Sequence, residues 1–135
     1  MSAAAHLAPP ALRRVVTDGA PTPRGHYSQA IVAAGMVHVC GLLPVDPESG
    51  RIVGVDGAAQ IARVLRSLDA VLRAAGSEAG RVVSLQVFLC DSALWPVVNQ
   101  ACADYFGEHR PARTVVPISP LRDGALIELN AIALA

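Results

Sequence analysis

Glu128 and Asn130 stand two residues apart inside the apolar run Ala125-Leu-Ile-Glu-Leu-Asn-Ala-Ile-Ala-Leu134. The two-residue period of a strand places both side chains on one face, away from Ile127 and Leu129. A carboxylate in such a strand needs a cation or hydrogen-bond donors. Arg113, just after a proline-containing loop and near the start of the preceding strand candidate, is an available guanidinium. Two readings follow: the bland one is a solvated strand face or a plain ion pair, and the other is that the pair marks a site. Spacing alone leaves both open.

Other chemistries are poorly supplied. The eleven basic residues are all arginine, so no Schiff-base or P-loop lysine exists. Cys40, Cys90 and Cys102 show no C-x-x-C spacing and cannot all pair within one chain, which points to a reducing cytoplasm. Cys40 has no paired base and reads as a small buried cysteine. His6, His38 and His109 show no metal-ligand spacing, so neither a metal nor a cofactor is expected.

The elements that must position these residues follow from pattern. Residues 1 to about 12, rich in alanine and proline, read as a frayed tail before one domain over 13–135. Val15-Val16-Thr17 is the first β-branched run, and Asp18–Gly25, with two prolines and two glycines, reads as an exposed loop. Gln29–Ala34 and Met36–Leu43 suggest a hairpin about Gly35, with Val37, Val39 and Leu43 on one face. Arg51–Val55 is a short edge-strand candidate after the turn cluster Pro44–Gly50.

From Gly57 to Ala75 the positions Ile61, Val64, Leu65, Leu68, Val71 and Leu72 form the stripe of an amphipathic helix, with Asp56 as N-cap and Gly76 beyond its end. Arg81–Cys90 reads as a strand with Val83, Leu85, Val87 and Leu89 on one face. A second helix runs to about Phe106 with Trp95, Val98, Cys102 and Tyr105/Phe106 buried, and Gly107 closes it. Arg113–Ser119 and Ala125–Leu134 read as a C-terminal hairpin. The result is an α+β sandwich: one mixed sheet with two helices on one face, its other face covered by oligomerisation.

A chain of 135 residues with 53% hydrophobic content suits one domain. Eleven acidic residues balance the eleven arginines, which disfavours phosphate-dominated nucleic-acid binding. No apolar run reaches a membrane span, and residues 1–10 lack a basic leader, so a soluble, unprocessed protein is expected.

Five segments in order, Gly25-His-Tyr-Ser-Gln-Ala-Ile31, Val39–Gly50, Val98-Asn99 leading to Tyr105-Phe-Gly, Arg110-Pro-Ala-Arg-Thr114 and Ile127–Ile132, resemble the RidA/YjgF family over nearly the whole chain after the tail. The resemblance implies a chorismate-mutase-like α+β fold and a homotrimer with clefts between subunits. There, reactive enamines and imines such as 2-aminoacrylate and 2-iminobutyrate are hydrolysed to 2-keto acids and ammonia. It assigns Arg113 to the substrate carboxylate, Glu128 to the attacking water and Tyr27 to ligand contact. It also places Thr114 and the backbone of Val115 beside the imine, Asn99 and Trp95 on the cleft wall, and Cys40-Gly41 at its floor.

Read without the motif, Tyr27 is a wet loop tyrosine, Asn99 an exposed helix residue and Trp95 a core or interface anchor. His26, Leu42 and Asn130 depart from the family pattern in ways that would reshape the cleft for a larger or different substrate. The alternatives are a non-catalytic or regulatory module that binds a small carboxylate in the same cleft, and a homologue adapted to a larger imine.

Overall fold

The computed structural model describes residues 11–135. Most of the expected N-terminal tail therefore lies outside the described residues. Strands β1 (Arg13–Val15), β2 (Ala30–Ala33) and β3 (Met36–Leu42) precede helix α1 (Gly57–Ala74). Then come β4 (Val82–Leu89), helix α2 (Trp95–Phe106), β5 (Ala112–Pro117) and β6 (Ile127–Leu134). One six-stranded mixed sheet runs in the order β1-β2-β3-β6-β4-β5. This is the α+β architecture expected, with both helices contributing to the same apolar core as the buried face of the sheet.

The C-terminal pair is not a hairpin. β5 lies parallel to β4, and β6 inserts between β3 and β4, antiparallel to both. Helix α2 carries the chain back along β4, so a parallel neighbour is where β5 lands. Apolar alternation specifies which face of a strand is buried, not which strand it joins.

Two bulges shift the expected faces. A register shift between Val39 and Leu42 sends Leu42 into the core, leaving Leu43 half-buried. A second, between Val82 and Ser84, buries Val82 and leaves Val83 45% exposed. In each case the extra residue moves the pattern by one position and therefore to the other face.

Other boundaries moved for local reasons. β1 stops at Val15 because the Thr17 N–H and C=O are both taken by the buried Gln29 carboxamide, at 2.8 and 3.0 Å. The Arg51–Val55 strand is reduced to one bridge, Val45 to Ile52, with Gly54 left-handed just beyond it (φ +60°). Trp95 is not in the core but 47% exposed, because the turn Ser92–Leu94, capped by Asp91, starts α2 with Trp95 on its open side.

Helix α1 has the ends its sequence specifies. Asp56 accepts from the Ala59 N–H at 2.8 Å. At the other end Gly76 is left-handed (φ +82°), and the Gly76 and Ser77 N–H groups bond back to Arg73 and Leu72. Its least expected residue is Gln60, fully buried on the apolar side. The Gln60 carboxamide accepts from the Leu126 N–H at 2.7 Å and donates to the Gly124 carbonyl at 3.1 Å, which ties α1 to the segment entering β6.

Gln60→Leu keeps the volume but leaves both backbone groups without partners. The expected cost is about 2–3 kcal/mol. It would be read as a lower urea midpoint with unchanged slope at fixed protein concentration.

Candidate active site

The central strands place the site residues in two separate groups. On β6, Glu128 pairs with Phe88 of β4, and Asn130 with Gln86, on the sheet face opposite the helices. Leu129 and Ala131 alternate with them into the core. Glu128 thus shares a face with Asn130, as the two-residue period requires. The bulge in β3 brings Cys40 and Gly41 beside it, and the 18–29 loop brings Tyr27.

Glu128, Tyr27, Cys40 and Gly41 line one cavity of ≈ 540 Å³, together with Leu43, Arg24 and Arg122. Gly41 leaves room for the Glu128 carboxylate in its present place: a Cβ would sit 3.2 Å from the Glu128 carboxyl carbon and closer still to its Oε1, so the carboxylate would have to move. Tyr27 is 53% exposed, with its N–H bonded to the Gly25 carbonyl at 3.0 Å. The buried Gln29 holds the start of this loop through the Thr17, Ala20 and Pro21 carbonyls.

Cys40 is a poor nucleophile in this setting. Burial, and then the neighbouring Glu128 carboxylate, push its thiol up from 9.0 to about 11, partly offset by a backbone hydrogen bond. The thiolate is thereby reduced about 100-fold at pH 8. Alkylation of Cys40 by iodoacetamide at pH 8, followed on its peptide, should be correspondingly slow and should speed up in Glu128→Gln. Fast labelling of the unmodified protein would contradict this environment.

The second group is built on β5 and α2. Arg113 pairs in register with Leu85, whose side chain is buried under the helices, so Arg113 rises on the helix side of the sheet. Its Nη2 donates to the Asn99 Oδ1 at 3.0 Å, and the guanidinium lies 5.7 Å from the Trp95 ring centre. Asn99 and Trp95, one turn apart on α2, thus fix the fork of Arg113 without neutralising its charge. The adjoining cleft of ≈ 500 Å³ is floored by Leu85, Cys102 and Phe106. Burial raises the Cys102 thiol, and the Arg113 guanidinium opposes that shift.

β5 is an edge strand, which makes its backbone available. The Ile118 N–H bonds across to the Leu89 carbonyl at 2.8 Å. Alternation then turns Thr114 and Val116 toward β4 and leaves the backbone of Arg113, Val115 and Pro117 on the open edge. Pro117, with no N–H to donate, stands at an outward position that does not need one. Val115 offers a free backbone N–H and C=O beside Arg113, whereas the Thr114 side chain is exposed on the opposite face, alongside Gln86 and Asn130.

Arg113 and Glu128, paired in one of the sequence readings, are therefore not in contact. They lie on opposite faces of the sheet, on strands separated by β4. Neither forms an ion pair among the described residues. Arg24, Arg122, Gln29 and Gln60 were missed by sequence reasoning. Only Arg24, directly before the Gly25–Tyr27 motif, carried a signal. Leu42, expected to shape the cleft, is 3% exposed and borders the small hollow beside the Glu128 cavity. Among the described residues no group of three or more His, Cys, Asp or Glu is arranged to hold a metal ion, and no helix is long and apolar enough to cross a membrane.

A mixed six-stranded sheet with two helices, a guanidinium on its edge strand and a glycine-backed carboxylate on its central strand define a protein of the RidA class. Residues 17–135 match the sequence profile of the endoribonuclease L-PSP family, and the chain belongs to this family, also called RidA/YjgF. It is 41% identical over 119 residues to a RutC family protein of Pyrococcus horikoshii, covering 88% of this chain and 94% of that one.

It is 36% identical to the 3-aminoacrylate deaminase RutC of Acinetobacter baylyi, over 88% of this chain and 94% of the relative. Reactive Intermediate Deaminase A of Arabidopsis thaliana chloroplasts is likewise 36% identical, over 88% of this chain and 64% of the relative. Among solved structures, the Rid-family protein YyfA of Yersinia pestis superposes with a TM-score of 0.90 at 36% identity, over 93% of this chain and all of that one (100%). The family thus includes reactive-intermediate deaminases.

Proposed function

We propose that the protein hydrolyses small reactive enamines and 2-imino acids, of the 2-aminoacrylate and 2-iminobutyrate type, to 2-keto acids and ammonia, at a site completed by a second copy of the chain. The observation that carries this reading is the separation of the two groups. A guanidinium fixed by neutral partners and a carboxylate without an ionic partner among the described residues lie on opposite faces of one chain. Each is complete in itself, and the two become a site when one subunit's β5 edge meets the β3–β6 face of the next. A homotrimer provides three such meetings and covers the open sheet face, where Met36, Phe88 and Ile132 are half-buried.

In that cleft the Arg113 fork would hold the substrate carboxylate, with the Val115 backbone beside the imine nitrogen. Glu128 would accept a proton from the attacking water, aided by ligand contact through Tyr27. The water oxygen adds to the imine carbon, and its protons pass to nitrogen. The C–N bond then breaks with its electron pair on nitrogen, releasing ammonia and leaving the 2-keto acid. An enamine first takes a proton on carbon to become the imine. No metal or cofactor enters this scheme, and the reducing cytoplasm is its natural setting. The charge balance disfavours RNA as a partner.

The test is release of ammonia and 2-keto acid when 2-iminobutyrate or 2-aminoacrylate is generated in situ, measured above the spontaneous rate, with the assembly state followed by light scattering. Acceleration by a trimer supports the reading. No acceleration by an intact trimer moves the function to carboxylate binding without turnover.

A further inference from the structure

Two guanidiniums that the proposed hydrolysis does not use face the Glu128 cavity. Arg24 and Arg122 both line it, and both also line two adjoining hollows, one toward Pro21 and Leu42 and the other toward Gly50 and Arg51. Together they border this group of neighbouring hollows, a shared depression. Among the described residues neither pairs with Glu128. Arg122 has one ionic partner among the described residues, the adjacent and largely exposed Asp123 at 3.2 Å, and Arg24 has none among them.

Arg24 is nevertheless held in place. Its Nη2 donates to the Gly50 carbonyl at 2.7 Å, a contact across 26 residues of chain. Gly50 is left-handed (φ +72°), and a Cβ there would collide with that same Nη2. The carboxylates of these hollows are Glu128 and the Asp123 paired with Arg122, so the fixed Arg24 head, in a cavity that Arg122 also lines, is available to an anion from outside the chain.

We infer that this depression takes the far end of the substrate, and that the preferred substrates are 2-imino acids whose side chain ends in a second carboxylate. The inference rests on the proposed deaminase reading and narrows its substrate class. Arg113 would take the carboxylate next to the imine carbon, and Arg24 with Arg122 the distal one. A substrate with one carboxylate leaves this second pair of cations unanswered. The mixed lining of the cavity, which includes Leu43 and Tyr27 as well as Glu128 and the arginines, suits the short methylene spacer of such a side chain.

The experiment compares 2-iminoglutarate with 2-iminohexanoate, whose side chain is uncharged, each generated in situ by an amino-acid oxidase. It also measures binding of the stable products 2-oxoglutarate and 2-oxohexanoate by calorimetry. The wild-type protein should favour the dicarboxylate at least about tenfold in kcat/KM and in affinity, and the preference should weaken with added salt. Arg24→Met should reduce that preference about tenfold, and Gly50→Ala, which displaces the Arg24 head without removing it, should do so in part. A preference unchanged in Arg24→Met, or absent from the wild type in both readouts, overturns the inference. Absence of turnover with every imine, while 2-oxoglutarate still binds preferentially in an Arg24-dependent way, would instead overturn the deaminase reading and leave the anion site standing.

Discussion

Arg113→Ala is expected to lower kcat/KM for 2-iminobutyrate by about 10²–10³-fold, the scale of losing a bidentate charged contact that also orients the substrate. The folded state should tolerate the change. Arg113 sits on the edge strand, and its partners Asn99 and Trp95 are both exposed. Its loss should therefore shift stability by no more than about 0.5 kcal/mol. Arg113→Lys keeps the charge but not the planar fork, so a loss of at least about tenfold should remain. Steady-state release of the keto acid, corrected for spontaneous hydrolysis, gives the ratio. Full activity in Arg113→Ala would remove this residue from the carboxylate-binding role.

Glu128→Gln is expected to cost about 10²–10⁴-fold in kcat with little change in KM, because the amide preserves shape but cannot accept the water's proton. Gly41→Ala separates position from chemistry at the same point. Its added methyl must displace the Glu128 carboxylate, whose carbon would lie 3.2 Å away, so much of the loss should appear with the acid still present. If Glu128→Gln turned over normally, proton transfer would have to be assigned to another group. If only Gly41→Ala were impaired, the cavity's shape rather than Glu128's ionisation would be at fault.

What could be read from sequence and what could not divide along physical lines. The face of α1, its Asp56 cap and its Gly76 ending are local, each signalled within a few residues of where it acts, and the structure has all three. The shared face of Glu128 and Asn130 is equally local, because strand periodicity alone requires it. Leu43, rather than Leu42, was placed with Val37 and Val39, and Val83 with Leu85, because a bulge leaves no mark in an apolar run. Trp95 was assigned to the core because a turn of tight helix reset the phase of α2.

The position of β6 and the burial of Gln29 and Gln60 depend on partners distant in the chain. For Gln60 these are Gly124 and Leu126, over 60 residues away. The family resemblance grouped Arg113 and Glu128 in one site. Their spacing did not reveal that one chain keeps them on opposite faces.

The central place of β6 also governs the order in which the molecule can form. Ribosomes deliver β6 after the other five strands, yet it is the strand that joins β1-β2-β3 to β4-β5. Until it arrives, the nascent chain holds two half-sheets whose facing edges, on β3 and β4, carry unpaired backbone groups. The pairing of β6 with β3 spans most of the chain, so it is slow to form on loop-closure grounds, and those edges stay open to wrong partners meanwhile. Glu128 arrives on that same strand, so the carboxylate takes its place only as the two half-sheets are joined.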